Sequence, residues 1–215
     1  ESRLSVEAYA INASNGALTS VTGTATIQYL YNGLGQVVRK IEATGDQTNY
    51  SYDGAGRLTV ETRAGFVDFN GQWVSPTTQY LYDGLGRKVA DIDGNGSVTE
   101  YRYDGNGRLV GTVHYAGAVS GSGTLAALDD PDNSLALAAI RPPAHPDDLW
   151  TWSVHDREGR LIAAIAGDGS VTAYEYDGSG RLVKTIGHIN KLSAGQIEAF
   201  KANGPSASRP DAHPA

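Results

Sequence analysis

Carboxylates recur in this chain at spacings that could do chemistry. Asp and Arg stand four residues apart in five short copies: Asp53/Arg57, Asp83/Arg87, Asp104/Arg108, Asp156/Arg160 and Asp177/Arg181. A repeated carboxylate beside a guanidinium could bind a sugar or act as an acid–base group. In the stretch DIDGNGSVTEYR, Asp91, Asp93, Asn95, Gly96 and Val98 fall at positions 1, 3, 5, 6 and 8 of a calcium loop of the EF-hand kind. Asp129, Asp130 and Asp132 crowd around Pro131, and Trp150 and Trp152 could form a stacking platform for a ligand.

Each candidate has a plainer reading. The twelfth position of the calcium-like loop is Arg102, where a bidentate Glu belongs. The parallel segments EATGDQT and IAGDGSV hold the same place without the ligands, so a hairpin turn is expected there. The five histidines (His114, His145, His155, His188 and His213) lack metal-ligand spacing, and there is no cysteine to join them. The aspartates around Pro131 read as solvated loop charge, and the tryptophans as core filling. Nothing assembles a nucleophile, a base and an oxyanion hole. The expectation is therefore no catalytic residue, no metal and no cofactor. A sixth copy of the Asp/Arg motif changes both members at once, to Asn32 and Gln36. That joint change implies two side chains touching across a turn, with Asp capping turn N–H groups and Arg bracing it.

The motif belongs to a repeat. Its fullest spelling, YDGAGRL at Tyr52–Leu58, returns with its first position at Tyr31, Tyr52, Tyr82, Tyr103, His155 and Tyr176. The intervals are 21, 30, 21, 52 and 21 residues, so a constant step alternates with a variable one. The unit is two 21-residue modules followed by an insertion. Gly35, Gly56, Gly86, Gly107, Gly159 and Gly180 sit four residues past the first position in all six copies. Only glycine takes positive φ without steric penalty, so each marks a tight hairpin connection. A second signal lies ten residues on, at Thr44-Gly45, Asn95-Gly96 and Asp168-Gly169, and reads as a two-residue hairpin turn. Each module then holds two strands of roughly 7–8 residues, each about 25 Å long.

Ten of the 12 tyrosines occur as Tyr-x-Tyr: Tyr29/Tyr31, Tyr50/Tyr52, Tyr80/Tyr82, Tyr101/Tyr103 and Tyr174/Tyr176. Residues two apart share one face of a strand, so these pairs form an aromatic ladder. The residue between them, or at the matching place, is Leu30, Leu81 or Val154 in first modules and Ser51, Arg102 or Glu175 in second modules. First modules are thus apolar on both faces and call for cover, which the insertions can supply. The fold class expected is all-β: an antiparallel hairpin meander, curling into a spiral strip because strand twist accumulates, with short helical insertions. The repeat region runs over 1–189, with insertions at about 11–25, 66–77 and 116–149, and 190–215 is a helical insertion with a polar tail. Ser193 and Gln196 fit a capping box and Gly204 a helix stop.

Composition narrows the partners. The 215 residues carry a formal net charge of −7 with no basic run, which argues against nucleic acid. No apolar stretch approaches the ~18 residues that span a bilayer. RLSVEAYA at Arg3–Ala10 matches RLTVETRA at Arg57–Ala64, so the chain reads as an excerpt that opens midway through a module of a longer protein. Order in the polar tail would require packing on adjacent coils of a parent chain or on other copies of this one.

The spelling Tyr-Asp-Gly-x-Gly-Arg-Leu on a 21-residue period resembles the RHS/YD-repeat family, over about Arg3–Ile189 outside the insertions. The resemblance implies a β-strip wound into a hollow shell. In bacterial polymorphic toxins and Tc toxins such a shell encloses a toxin domain, and in teneurins a related barrel serves cell adhesion. It implies a structural, non-enzymatic role, a secreted or cell-surface location, and as partners the rest of a parent chain or an enclosed toxin. An alternative is an adhesin or carbohydrate-binding repeat that takes glycans and self-assembles. Two copies depart from the pattern: His155-Asp156-Arg157-Glu158 lacks the first glycine, and Asn32/Gln36 lacks the charges. Asp130-Pro131 continues as Asp132-Asn133, which does not match the family's self-cleaving Asp-Pro-x-Gly motif. No autoproteolytic role carries over.

Overall fold

The computed structural model describes residues 2–11, 18–119, 122–130 and 136–204. Pro131, Asp132, His213 and the polar tail over 205–215 lie outside the described residues. The chain divides into two compact units: residues 1–79 with 128–133, and residues 80–127 with 134–215.

The first unit opens with β1 (Ser2–Ile11) and β2 (Leu18–Tyr31), paired antiparallel from Ser2↔Ile27 to Ile11↔Leu18. Residues 18–25, placed by the repeat spacing in an insertion, form the outer part of β2. A meander of β3 (Val37–Ile41), β4 (Gln47–Tyr52) and β5 (Leu58–Arg63) follows, each strand pairing with the one before. A small separate hairpin, β6 (Phe66–Val67) with β7 (Trp73–Val74), fills the second insertion. Beyond it β5 pairs with the start of β8 (Thr77–Tyr82), from Thr62↔Thr77 to Val60↔Gln79.

The second unit takes the rest of β8 and continues with β9 (Lys88–Asp93), β10 (Ser97–Tyr103) and β11 (Leu109–Ala118). The long insertion carries α1 (Ser122–Leu128) and the single turn α2 (Leu137–Ile140). Then come β12 (Leu149–His155), β13 (Leu161–Ala166), β14 (Val171–Tyr176) and β15 (Leu182–Gly187). Pairing is antiparallel at every seam described, including β11 with β12 across the insertion. Helix α3 (Ala194–Asn203) closes the described chain, with Ser193 and Gln196 bonded reciprocally as a capping box and Gly204 at its end. No helix among the described residues is long and apolar enough to cross a membrane.

Alternation decides where the core of the second unit sits. Ala90 and Ile92 of β9, Val98 of β10, Val113 of β11, Val154 of β12, Ile165 of β13 and Ala173 of β14 are all buried. They share the sheet face opposite the tyrosines, as strand periodicity requires. The long insertion and the segment that carries α3 meet this face, through Arg141 on Glu100 and Phe200 on Trp152. Leu137 and Ile140 of α2 and Leu192 before α3 are buried, and Phe200 of α3 meets Trp152 of β12 at 5.7 Å between ring centroids. Of the apolar residues at the middle of first modules, Leu81 and Val154 are buried, but Leu30 in the first unit is 42% exposed.

Two local details differ from the sequence reading. Most strands of the hairpin modules hold 5–6 residues, fewer than the 7–8 expected, because each connection takes more of the chain; β10 and β12 hold 7, and β2 and β11 run on to 14 and 10. The second turn is a three-residue loop, not a two-residue one. Glu42 N–H donates to the Asp46 carbonyl at 2.8 Å, and Gly45 N–H to the Glu42 carbonyl at 2.9 Å. A two-residue type I′ turn needs positive φ at both central residues. No non-glycine among the described residues has positive φ, so Thr44, Asn95 and Asp168 exclude that turn. In each of these loops it is the glycine, Gly45, Gly96 or Gly169, that enters the left-handed region, at φ of 91°, 83° and 84°.

Candidate functional site

The motif residues form corners, each built the same way. Asp53 Oδ1 accepts from the backbone N–H of Ala55 at 3.0 Å and of Arg57 at 2.9 Å, while Oδ2 accepts from Arg57 Nε at 2.7 Å. The main chain closes beneath it, Asp53 N–H to the Arg57 carbonyl and Gly56 N–H to the Asp53 carbonyl. Arg87, Arg108, Arg160 and Arg181 reach Asp83, Asp104, Asp156 and Asp177 through Nε at 2.7, 2.7, 2.6 and 2.7 Å. In the uncharged copy, Asn32 Nδ2 donates to Gln36 Oε1 at 2.8 Å. Gly56, Gly86, Gly107, Gly159 and Gly180 supply positive φ at the same place in each.

The structure adds two corner features that the spacing did not reveal. Asp68-Phe69-Asn70-Gly71-Gln72, between β6 and β7, is a seventh corner: Asp68 Oδ1 accepts from Asn70 and Gln72 N–H at 2.9 and 2.8 Å, and Gly71 has φ of 78°. Its signal was Asp followed three residues later by Gly and then Gln, as in Asn32–Gln36. The second feature is a register shift at the foot of the corner. It falls between Leu30/Tyr31, Ser51/Tyr52, Arg102/Tyr103, Val154/His155 and Glu175/Tyr176, leaving one extra residue on the returning strand. Such bulges bend a strand and increase its twist.

Corners also bond sideways. Gln36 Nε2 donates to the Gly56 carbonyl at 2.9 Å, and Arg108 Nη1 to the Asp156 carbonyl at 2.9 Å. The second tyrosine of each second module ties its strand to the preceding corner. Tyr52, Tyr103 and Tyr176 donate their hydroxyls to the carbonyls of Val37, Lys88 and Leu161 at 2.8, 2.8 and 2.9 Å. Arg87 lies over the Tyr103 ring at 4.8 Å and Arg160 over Tyr176 at 5.2 Å. Tyr101 donates to Asp91 at 2.6 Å, and the Lys88 ammonium lies over the rings of Tyr80 and Tyr101. The tyrosine face is half-buried for Tyr50, Tyr52, Tyr80, Tyr82, Tyr101, Tyr103, Tyr174 and Tyr176. Tyr29 and Tyr31 in the first unit are exposed.

These corners respond to acid. Backbone N–H donation from the paired arginine is the largest cause holding Asp83, Asp104 and Asp177 below the ordinary 3.8, with the guanidinium adding to it and partial burial opposing. A carboxylate with a depressed folded pKa stabilises the fold above its unfolded pKa and loses that contribution as pH falls through the folded value. Melting temperature is therefore expected to hold near neutrality and drop below about pH 4. Replacing Asp83 and Asp104 by Asn should flatten that drop in a series of thermal melts at fixed ionic strength.

The other sequence candidates scatter. In the calcium-like loop, Asp93 Oδ1 caps Asn95 and Ser97 N–H at 2.9 Å each, while Asp91 is held by Tyr101 and Lys88. No group of three or more metal-ligating side chains occurs among the described residues. Asp129 accepts from Gln79 Nε2 at 2.7 Å, within the first unit, and Asp130 is exposed. Trp150 stacks on Trp152 at 5.5 Å, with Arg102 over its ring at 4.6 Å, so both tryptophans are buried in packing. His114 pairs with Thr99 at 3.1 Å, and His145 lies beside Asp147.

One cluster escaped the sequence reading. Glu100 of β10 is buried, and its carboxylate accepts from the Tyr115 hydroxyl (2.6 Å), Arg141 Nε (2.8 Å) and Arg102 Nε (3.0 Å). Arg102 in turn donates to the Lys201 carbonyl in α3 at 2.8 Å. Burial alone would raise the Glu100 carboxyl, but the Arg141 and Tyr115 hydrogen bonds with the arginine charges hold it below its ordinary value. Desolvation first, then the bond to Glu100, pushes Tyr115 up to about 12. Its signal was a charged residue in the apolar phase of a strand; its partners are 15 and 41 residues away. A cleft of about 670 Å³ lies beside it, lined among others by Arg102, Arg141, Pro142, Trp150 and Lys201. Its charges are already matched: Glu100 takes the arginines, Lys201 bonds Glu198, and Asp148 accepts from Ala116 and His145 N–H.

Comparison with known proteins places this geometry. No curated protein sequence matches the chain. Among solved structures, the crystal structure of TcdB2-TccC3-Cdc42 aligns with a TM-score of 0.53 at 19% identity, over 81% of this chain and 8% of that one. A Photorhabdus luminescens Tc holotoxin pore carrying a mutated TccC3 aligns with a TM-score of 0.53 at 17% identity, over 78% of this chain and 7% of that one. The chain therefore shares their fold over a small fraction of their length. The RHS Repeat family matches residues 31–65, 82–119 and 155–187, three segments that contain all six corners of the 21-residue repeat. The chain, an antiparallel meander of YD hairpins, belongs to the RHS-repeat family.

Proposed function

We propose that the chain is a non-catalytic length of wall from an RHS-type shell, which acts by enclosing a passenger such as a toxin domain. One observation carries this reading: the corner aspartates have both oxygens taken by their own turns. The repeated carboxylates are turn braces, and the tyrosines tie neighbouring hairpins. Similarity of fold to Tc toxin assemblies supports the reading. Its partners are then the rest of a larger parent chain and the enclosed domain, and its location is secreted or at the cell surface. Electron microscopy of the full-length parent tests this: a hollow shell is expected, and a solid rod or extended string without a cavity would sink it.

A second reading, a glycan-binding or self-assembling adhesin, is favoured by the β6–β7 hairpin, where Phe69 is 96% and Trp73 69% exposed. Exposed aromatic rings suit stacking on sugars. A glycan array with the chain and its Trp73→Ala variant decides: signal lost with Trp73 supports this reading, and no signal removes it.

A further inference from the structure

The hairpin that fills the second insertion is apolar on both of its faces. The chain over 64–76 holds one charged residue, Asp68, and no lysine or arginine. Strands β6 and β7 form a two-stranded sheet of their own, apart from the strands of the meander. Phe66 pairs with Val74, and Val67 with Trp73. Neighbours along a strand point to opposite faces, and paired residues share one. Phe66 and Val74 therefore occupy one face, Val67 and Trp73 the other, and all four are exposed, as is Phe69 at the tip. The corner at the tip bonds its own polar groups. Asp68 N–H donates to the Gln72 carbonyl at 2.8 Å, Gly71 N–H to the Asp68 carbonyl at 3.0 Å, and Asp68 Oδ1 accepts from Asn70 and Gln72 N–H. Trp73 sits against Gly65, where an added Cβ would stand 2.5 Å from the indole.

We infer that this hairpin is a wedge that enters the interface of a zwitterionic lipid bilayer. A protein groove or a sugar ring covers one face of a hairpin. A ribbon that is apolar on both faces loses its exposed apolar surface only by immersion. Aromatic side chains favour the boundary between headgroups and acyl chains, and a peripheral element sinks about 5–10 Å into it. The arm from Phe66 to Phe69 reaches about 10 Å, so the tip and the indole enter while the meander stays outside. Closure of the corner matters there, because unpaired backbone groups are costly in apolar surroundings. Charge selects the lipid: Asp68 is the one charge in the hairpin and the chain carries −7, so anionic headgroups repel it. The wedge is independent of the shell reading and competes with the glycan reading of the same hairpin.

The test mixes the full chain with phosphatidylcholine vesicles. Trp73 is the natural reporter, since Trp150 and Trp152 are buried. A blue shift of tryptophan emission is expected, with quenching by lipids brominated high on the acyl chain and co-sedimentation that weakens at low salt when phosphatidylserine is added. Phe69→Ser should cut vesicle affinity about tenfold, the loss expected when one phenyl ring no longer leaves water. It should leave the melting temperature unchanged, because Phe69 is already exposed in the fold. No binding to phosphatidylcholine, undiminished binding of Phe69→Ser, or tighter binding to phosphatidylserine overturns the assignment. A blue shift that grows with protein concentration before any lipid is added assigns the hairpin to self-association, and a glycan signal that depends on Trp73 without vesicle binding assigns it to sugars; either result overturns the wedge.

Discussion

Replacing Glu100 by alanine is expected to destabilise the second unit by about 1–3 kcal/mol, because the carboxylate is buried while the arginines it leaves behind reach solvent. The carboxylate stands between the Arg102 and Arg141 guanidiniums and accepts the Tyr115 hydroxyl. Without it two cations face each other near a buried phenol. Urea unfolding followed by tryptophan fluorescence reads the change, since Trp150 and Trp152 lie in the same unit. An Arg141→Ala change should do less harm in the Glu100→Ala background than in the unmodified chain, which separates the pair's coupling from simple loss of packing. The pH dependence has a definite sign. Glu100 titrates below its ordinary 4.5 when folded, so its contribution is present above that value and lost as pH falls through the folded one. The stability difference between the unmodified chain and Glu100→Gln should therefore shrink between about pH 5 and pH 3. A difference that stays constant with pH would show that the charge is not what matters.

The second large effect lies at Gly169, and at its counterpart Gly96. Both take positive φ, and both are approached by the chain where it crosses back over the sheet. Leu192 N–H donates to the Gly169 carbonyl at 2.9 Å, and Val119 N–H to the Gly96 carbonyl at 2.7 Å. A Cβ on Gly169 would stand 2.9 Å from the Leu192 carbonyl oxygen, and one on Gly96 2.7 Å from that of Val119. Backbone cannot step aside as a side-chain tip can. Gly169→Ala thus adds displacement of the crossover to the left-handed strain, together about 3 kcal/mol. Gly107→Ala is the internal control: φ is 80° but nothing lies within 4 Å of the new methyl. It should lose only about 1–2 kcal/mol. Equal losses at Gly107 and Gly169 would mean that the crossover contact adds nothing.

How much of this was legible depends on the range of the interaction. The corner at Asp53–Arg57 is closed entirely by residues within its own five positions. Its glycine and Asp/Arg pair could therefore be read from spelling, and the joint change to Asn32 and Gln36 identified residues that touch. The loop at Gly45 was read one residue too short, because an x-Gly pair fits more than one turn class and only φ at Thr44 separates them. The seventh corner at Asp68 was passed over because Gln72 stands where most copies have Arg.

Longer-range contacts left weaker marks. Gln79 and Glu100 occupy the apolar phase of their strands, and each meets an insertion residue, Asp129 or Arg141, at a separation of 50 or 41. A polar residue out of phase announces that a partner exists, but not which residue it is. Trp150 and Trp152 could be a ligand platform or core by sequence, and the Arg102 and Phe200 contacts decided for core.

The repeat, the hairpin meander, the face that carries the tyrosines and the family could all be read from spelling alone. Each of these rests on period-two alternation or on turns closed within a few residues. Folding in three dimensions settles what covers the apolar face of the second unit, that Glu100 gathers Arg102, Tyr115 and Arg141, and that Ser153 and His155 leave a cavity beside Arg108. These depend on chain segments brought together across tens of residues, where local spelling carries no record of the partner.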